Sequence, residues 1–232
     1  MTIGEQSSAL QQLVGAGPVA SRRETTTHVS EGVGKRAVDV AMAMMLLVAC
    51  VPLFGLIAVL VKLSSKGPVL FRQSRVGRGG REFSLLKFRT MHVDSEARLR
   101  SDAALYDLFL NGGHKVVSRL DPRVTRFGRV LRRLSLDELP QLLNVVAGHM
   151  SMVGPRPVER SQLERDYEGY EWAYTGLRPG LTGLWQVSGR STVQFPERAE
   201  LDAQYFADRS PWMDARILLR TPIVVVTGLG AD

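Results

Sequence analysis

Residues 40–61 read VAMAMMLLVACVPLFGLIAVLV, about 22 positions without a charge, and no other feature of the 232-residue chain limits its fold so tightly. A run of that length suits a membrane-embedded helix, because lipid offers no water to backbone polar groups and a helix satisfies them within the segment. A buried core helix is the competing reading, but the run has no polar face. Pro52 stands mid-run, where it removes a backbone donor and bends the helix, and Gly55 follows it. Lys35 and Arg36 precede the run, while Lys62, Lys66, Arg72, Arg75 and Arg78 follow it. Cytoplasmic flanks collect Lys and Arg, so a positive flank at both ends does not suit a simple span. A single helix over residues 35–66 that enters, bends and returns to the same face satisfies both observations.

Residues 1–34 are rich in Gly, Ser, Thr, Gln and Ala and show little hydrophobic period, which predicts a disordered cytoplasmic tail. A secretory signal would place its apolar region directly after a basic start, whereas here it begins after about 37 residues. Residues 67–232 are long enough for one core, and they are expected to form one membrane-associated catalytic domain on the cytoplasmic face. Cys50 is the sole cysteine, which excludes a disulfide framework and a thiolate metal cluster. His28, His92, His114 and His149 lack the spacing of a zinc site. The net charge of +7 and pI near 10.0 ask for an anionic partner: nucleic acid, anionic lipid or a phosphorylated small molecule.

After Gly67 and Pro68, PVLFRQSRV, GRGGR and EFSLLKFRTM read as two extended stretches around a glycine-rich turn, hence a β-hairpin. Residues 94–111 read as one amphipathic helix, and VTRFGRVLRRL as a second with basic edges suited to an anionic surface. The remainder alternates short helical stretches with Pro- and Gly-rich loops. The expected class is mainly α with a small β-hairpin (α+β), in a monotopic membrane protein carrying one re-entrant helix and surface amphipathic helices.

Four stretches carry chemistry. In RRLSLDELPQ, Asp137 and Glu138 follow Arg132 and Arg133, a pattern suited to a divalent metal and a phosphorylated ligand. A helix start competes with it, since Ser135 and Glu138 have capping-box spacing; Pro140 fits better if Asp137 is the N-cap. The two readings are compatible, because a helix N-terminus itself favours phosphate. In LKFRTM, strand alternation places Lys87 and Arg89 on one face, able to neutralise a diphosphate or to meet lipid headgroups. In MSMVGPRPV, Arg156 is held between two prolines and pre-positioned for phosphate. The loop RPGLTGLWQVSGR offers Thr182, Gln186 and Arg190 to a nucleotide or sugar.

Lys35 and Arg36 with Asp39, the proline-containing apolar block, LFRQSRVG, LLKFRTM, DPRVTRFG, LSLDELPQLLNV, MSMVGPRPV, RPGLTGLWQVSGR and the closing ARILLRT stand in one order. In that order the chain resembles the bacterial sugar transferases from about residue 35 to its end, and most of all their short exopolysaccharide-type members. The resemblance implies a monotopic phosphoglycosyl transferase that moves a hexose 1-phosphate from a UDP-sugar to undecaprenyl phosphate and releases UMP. It also implies that Asp137 is the nucleophile, forming a covalent phosphosugar, and that Glu138 helps to hold Mg²⁺ on the diphosphate. Lys87, Arg132 and Arg156 are then the cations that bind substrate phosphate, with Arg89, Thr182, Gln186 and Arg190 close by. The sugar is open between galactose, glucose and another hexose; a homodimer is favoured, with membrane lipid as a further partner and nucleic acid as none. A membrane-tethered nucleic-acid binder lacks any helix-turn-helix, finger or aromatic-basic pattern here, and a lipid-binding scaffold leaves Asp137 and Glu138 unexplained.

Overall fold

The apolar block folds as two helices, not one. The computed structural model describes residues 32–111 and 121–227, so most of the expected tail, with His28, and also His114 lie outside the described residues. Helix α1 (Val33–Ala49) and helix α2 (Val51–Ser64) meet at Cys50 with a bend of 64°. Pro52 falls in the first turn of α2, where backbone N–H groups have no intrahelical partner and a missing donor costs nothing. The break therefore comes just before the proline, and α1 starts at Val33, inside the stretch expected to be tail. No single described helix is long and apolar enough to cross a membrane, and the bent pair meets that test by length and composition only when the two are taken together. At a rise of ~1.5 Å per residue, arms of these lengths at this bend carry Cys50 roughly 12 Å from the line joining their outer ends. That is close to the hydrocarbon depth of one leaflet, about 15 Å.

Each arm has a buried and an exposed side. Helix α1 buries Ala43 and Asp39 and exposes Met44, Met45 and Val48; α2 buries Ile57 and Val61 and exposes Leu56, Val59 and Leu63. The basic residues before the block are engaged by protein. Lys35 Nζ pairs with Asp214 at 2.7 Å and Asp39 at 3.6 Å, and Arg36 donates to the carbonyls of Val145 (2.7 Å) and Val146 (3.2 Å). Asp39 in turn accepts from Ser151 Oγ at 2.7 Å and from the Met152 N–H at 3.3 Å. These contacts lock α1 to the segment that leads into Arg156.

The hairpin forms as its glycine-rich turn predicts, with β1 (Leu70–Val76) antiparallel to β2 (Glu82–Phe88) and Phe71 opposite Lys87. Gly79 (φ 68°) and Gly80 (φ 73°) take the left-handed turn positions that favour glycine. Residues 94–111 divide into α3 (Ser95–Arg100) and α4 (Ala103–Asn111), because the Asp102 carboxylate accepts from the Leu105 N–H at 3.0 Å and starts a new helix. Helix α5 (Arg126–Arg133) is capped by Thr125, whose Oγ1 accepts from the Gly128 N–H at 2.8 Å. Then follow α6 (Gln141–Val146), β3 (Ser151–Val153), α7 (Arg160–Asp166), α8 (Glu171–Thr175) and β4 (Gly180–Thr182). Helices α9 (Leu184–Ser188), α10 (Glu197–Asp208) and α11 (Pro211–Thr227) complete the described chain.

Strands β3 and β4 pair in parallel, a second small sheet that two three-residue strands do not announce. Their approach requires glycine: a Cβ on Gly180 would collide with the Gly154 backbone, and one on Gly154 with the Arg178 carbonyl. The main core, with Leu142, Val145, Met150, Leu184, Tyr205 and Ile217, gathers α1, α6, α9, α10 and α11 around this sheet. A separate cluster of Ile57, Val61, Phe88 and Leu131 fixes α2 to the hairpin and to α5. The α+β class holds, with a bent helix pair in place of one helix.

Candidate active site

Between the hairpin, the turn after α5, the β4–α9 loop and α11 lies a cavity of about 970 Å³. All nine residues expected at the site line it: Lys87, Arg89, Arg132, Asp137, Glu138, Arg156, Thr182, Gln186 and Arg190.

The carboxylate turn begins at Ser135, whose left-handed backbone (φ 55°) reverses the chain after α5 and starts a 3₁₀ turn over Leu136–Glu138. The capping readings do not survive: Ser135, Asp137 and Pro140 make no side-chain cap, and α6 begins at Gln141 with Pro140 as its N-cap residue. Ser135 Oγ accepts instead from Arg190 at 3.1 Å. The two carboxylates then meet different surroundings. Glu138 Oε1 accepts from Arg156 at 2.7 Å and from Lys87 Nζ at 3.3 Å. Burial alone would raise the Glu138 carboxyl, but Arg156 and Lys87 overcome it and hold it at about 2, so Glu138 is ionised. Asp137 is 8% exposed, and among the described residues its carboxylate makes no hydrogen bond or ion pair. Burial foremost, and then the charge of Glu138, raise its pKa, against the pull of Lys87, Arg132 and Arg156.

The cations are placed unequally. Lys87 and Arg156 reach Glu138 directly, and Arg132 Nε donates to Thr90 Oγ1 at 3.0 Å on the cavity wall. Arg89 departs from the alternation argument. It lies beyond the end of β2 at Phe88, and its guanidinium donates to the carbonyls of Pro68, Ser65 (2.6 Å) and Val61 (3.3 Å), closing the C-terminal end of α2. The face of β2 that holds Lys87 is shared across the ladder with Phe71, not with Arg89. Thr182 Oγ1 lies 2.8 Å from Thr221 Oγ1, tying β4 to α11. Arg190 (φ 52°) also donates to the Val224 carbonyl at 3.5 Å, and burial chiefly lowers its pKa. Gln186 Oε1 is buried with no hydrogen-bond partner among the described residues.

Three features escape a reading of the sequence. Arg75 lines the cavity and pairs with Glu159 at 3.0 Å; the β1 alternation through Phe71, Gln73 and Arg75 carried that signal. Arg198 lies 4.5 Å from the Trp185 ring centroid and 5.4 Å from that of Phe195, yet in ERAELDAQ it reads as a solvated helix charge. Tyr167 lines the cavity and donates at 2.7 Å to Asp202, a fully buried carboxyl pushed up to about 7 by that burial. Neither Arg198 nor the Tyr167–Asp202 pair has a sequence signature.

No group of three or more His, Cys, Asp or Glu able to hold a metal occurs among the described residues. A site of two carboxylates suits Mg²⁺ nonetheless, because Mg²⁺ binds through one or two carboxylates and completes its shell with water and substrate phosphate. The Asp137 carboxylate beside Glu138, unpartnered among the described residues, fits that pattern.

A family model described as bacterial sugar transferase matches residues 30–228. The chain is 42% identical over 206 residues to "Exopolysaccharide production protein ExoY" of Sinorhizobium fredii, covering 86% of this chain and 88% of that one. It is 39% identical over 199 residues to the Salmonella typhimurium "Undecaprenyl-phosphate galactose phosphotransferase" (85% of this chain, 41% of the relative). It is 36% identical over 222 residues to the Escherichia coli "UDP-glucose:undecaprenyl-phosphate glucose-1-phosphate transferase" (92% and 44%).

Proposed function

The chain belongs to the bacterial sugar transferase family and is an enzyme of the phosphoglycosyl transferase type, and on that premise we propose its reaction. It transfers a hexose 1-phosphate from a UDP-sugar to undecaprenyl phosphate, releases UMP, and so initiates an exopolysaccharide-type glycan. The observation that carries this reading is the buried carboxylate of Asp137, without a hydrogen-bond partner among the described residues, in a cavity lined by seven Lys or Arg side chains and two carboxylates. Such a site suits a polyanion, and its buried carboxylate supports the reading of Asp137 as the nucleophile toward a phosphorus bound there.

In the first step an Asp137 oxygen attacks the sugar-linked phosphorus, the bond from that phosphorus to the bridging oxygen breaks, and UMP departs with that oxygen. The phosphosugar is then an acyl phosphate on Asp137. In the second step a phosphate oxygen of undecaprenyl phosphate attacks the same phosphorus, the bond to Asp137 breaks, and the carboxylate is restored. Lys87 and Arg156, held in place by Glu138, bring positive charge to the diphosphate, and Arg132 adds to it from the wall. Mg²⁺, held by Glu138 with Asp137 beside it, supplies further charge neutralisation when bound. The exposed apolar sides of α1 and α2 support a re-entrant insertion that keeps the cavity at the cytoplasmic surface of the inner membrane.

Radiolabelled UDP-galactose and UDP-glucose, incubated in turn with membranes bearing the protein and undecaprenyl phosphate, test the reaction. One of them is expected to transfer label into an organic-soluble product with release of UMP, and Asp137→Asn to abolish it. Absence of lipid-linked label with every UDP-hexose overturns the reading.

A further inference from the structure

The cavity holds a set of cations, and part of its rim is apolar. Three of its lining residues are large, apolar and open to solvent: Phe71 is 50% exposed, Val93 69% and Leu134 45%. They come from β1, the segment after β2 and the turn after α5. The Arg132–Thr90 hydrogen bond links the chain stretches that carry Val93 and Leu134. Phe71 stands directly across the ladder from Lys87, so an apolar ring and the cation that reaches Glu138 project from one face as neighbours. The mouth also adjoins the end of α2. A Cβ on Gly67 would meet Val93, Arg89 binds the last carbonyls of α2, and Leu63 in its last turn is 78% exposed.

A UDP-sugar can stack its uracil on one aromatic ring, but its ribose, diphosphate and sugar are polar and do not call for the two further aliphatic groups, Val93 and Leu134. A prenyl phosphate needs both surfaces within one molecule's reach, cations for the head and an apolar exit for the chain. We infer that the rim of Phe71, Val93 and Leu134 is the exit for the isoprenoid chain of the acceptor, which leaves the cavity over Phe71 toward α2 and the lipid. The inference rests on the transferase reading and adds the path of the acceptor to it. Bulk lipid lying against the same rim is the rival occupant.

The test uses the full-length protein in lipid nanodiscs at saturating UDP-sugar, with undecaprenyl phosphate and a short, water-soluble prenyl phosphate as alternative acceptors. The readout is the ratio of kcat/KM for the long acceptor to that for the short one. Phe71→Ser and Val93→Ser are each expected to lower this ratio by about tenfold, since apolar contact is lost only where a long chain crosses the rim. Phe71→Leu is expected to restore most of it. Val93→Ser, in a solvent-exposed loop, keeps the test valid if the strand substitution impairs folding. Equal slowing with both acceptors indicates that the rim meets bulk lipid or serves the fold, and an unchanged ratio indicates no role; either overturns the inference while leaving the transferase reading in place. A wild-type protein that makes no product with either acceptor removes both.

Discussion

Asp137 and Glu138 are adjacent in the chain, yet their surroundings push the two carboxyls in opposite directions. Glu138 is held at about 2 by Arg156 and Lys87 against its burial, whereas burial and Glu138 itself raise Asp137. An Asp nucleophile must be ionised, so the rate of UMP release without acceptor is expected to fall as pH drops through a pKa above the ordinary Asp value of 3.8. Lys87→Gln removes one of the groups that lowers the Asp137 pKa, so the acid limb of that profile should move to higher pH. A limb that stays in place, or moves to lower pH, contradicts this assignment. The same burial means that ionised Asp137 costs stability above its unfolded pKa. Asp137→Asn should therefore match or exceed the wild-type Tm at pH 7 while losing UMP release, a pairing that a misfolded variant does not give. Arg156 reaches Glu138 through one nitrogen at 2.7 Å, leaving the rest of its fork for phosphate. Arg156→Lys keeps the charge but not the fork, and should lower kcat/KM by about tenfold or more.

At the scale of elements, the bent pair α1–α2 and the β3–β4 contact position the cavity. If the pair dips into one leaflet and returns, Gly32→Cys and Lys66→Cys, each with Cys50→Ser, should both resist an impermeant thiol reagent added outside intact cells. Labelling at either position shows that one end has crossed. Gly154 lies where β3 and β4 come too close for any side chain, so Gly154→Ala should destabilise by about 2 kcal/mol or more and disturb Arg156 two residues on. An unchanged Tm would mean that the strands separate freely. The hairpin was legible because its turn chemistry and alternation are local signals, and α5 because its cap and basic edges are too. The bend position was half legible: Pro52 signals a break, but the break falls before it, where a proline can begin the next helix. The β3–β4 pairing was hidden because three-residue strands carry no periodicity. Asp102 ends α3 and starts α4 through a side-chain bond that the amphipathic pattern of residues 94–111 obscures.

Over the whole molecule, stability and site are coupled through Asp202, buried beneath Tyr167. Its folded pKa of about 7 lies above the ordinary 3.8, so the unfolded chain releases its proton first as pH rises. The contribution of Asp202 is fully present below about pH 4 and is lost as pH rises through 7, so Tm should decline between pH 5 and pH 8. Asp202→Asn, which still accepts from Tyr167, should flatten that decline by at least about 3 °C, and an equally steep decline would refute the assignment. The grouping of the candidate residues was largely legible, because these carboxylates and cations sit in short polar motifs from Lys87 to Arg190 that the fold gathers around one cavity. The partners of Arg89 were not legible, since alternation ends at Phe88 and the carbonyls of α2 claim its guanidinium; nor was Arg198, whose stacking on Trp185 needs the tertiary fold. If the phosphosugar passes through a covalent bond to Asp137, the mass of the purified protein must report it. Incubated with UDP-hexose and Mg²⁺ but no acceptor, the protein should gain the mass of one phosphohexose on the peptide containing Asp137. Undecaprenyl phosphate should discharge the adduct, and Asp137→Asn should never form it. Full turnover without any adduct, or an adduct that persists in Asp137→Asn, would contradict the account.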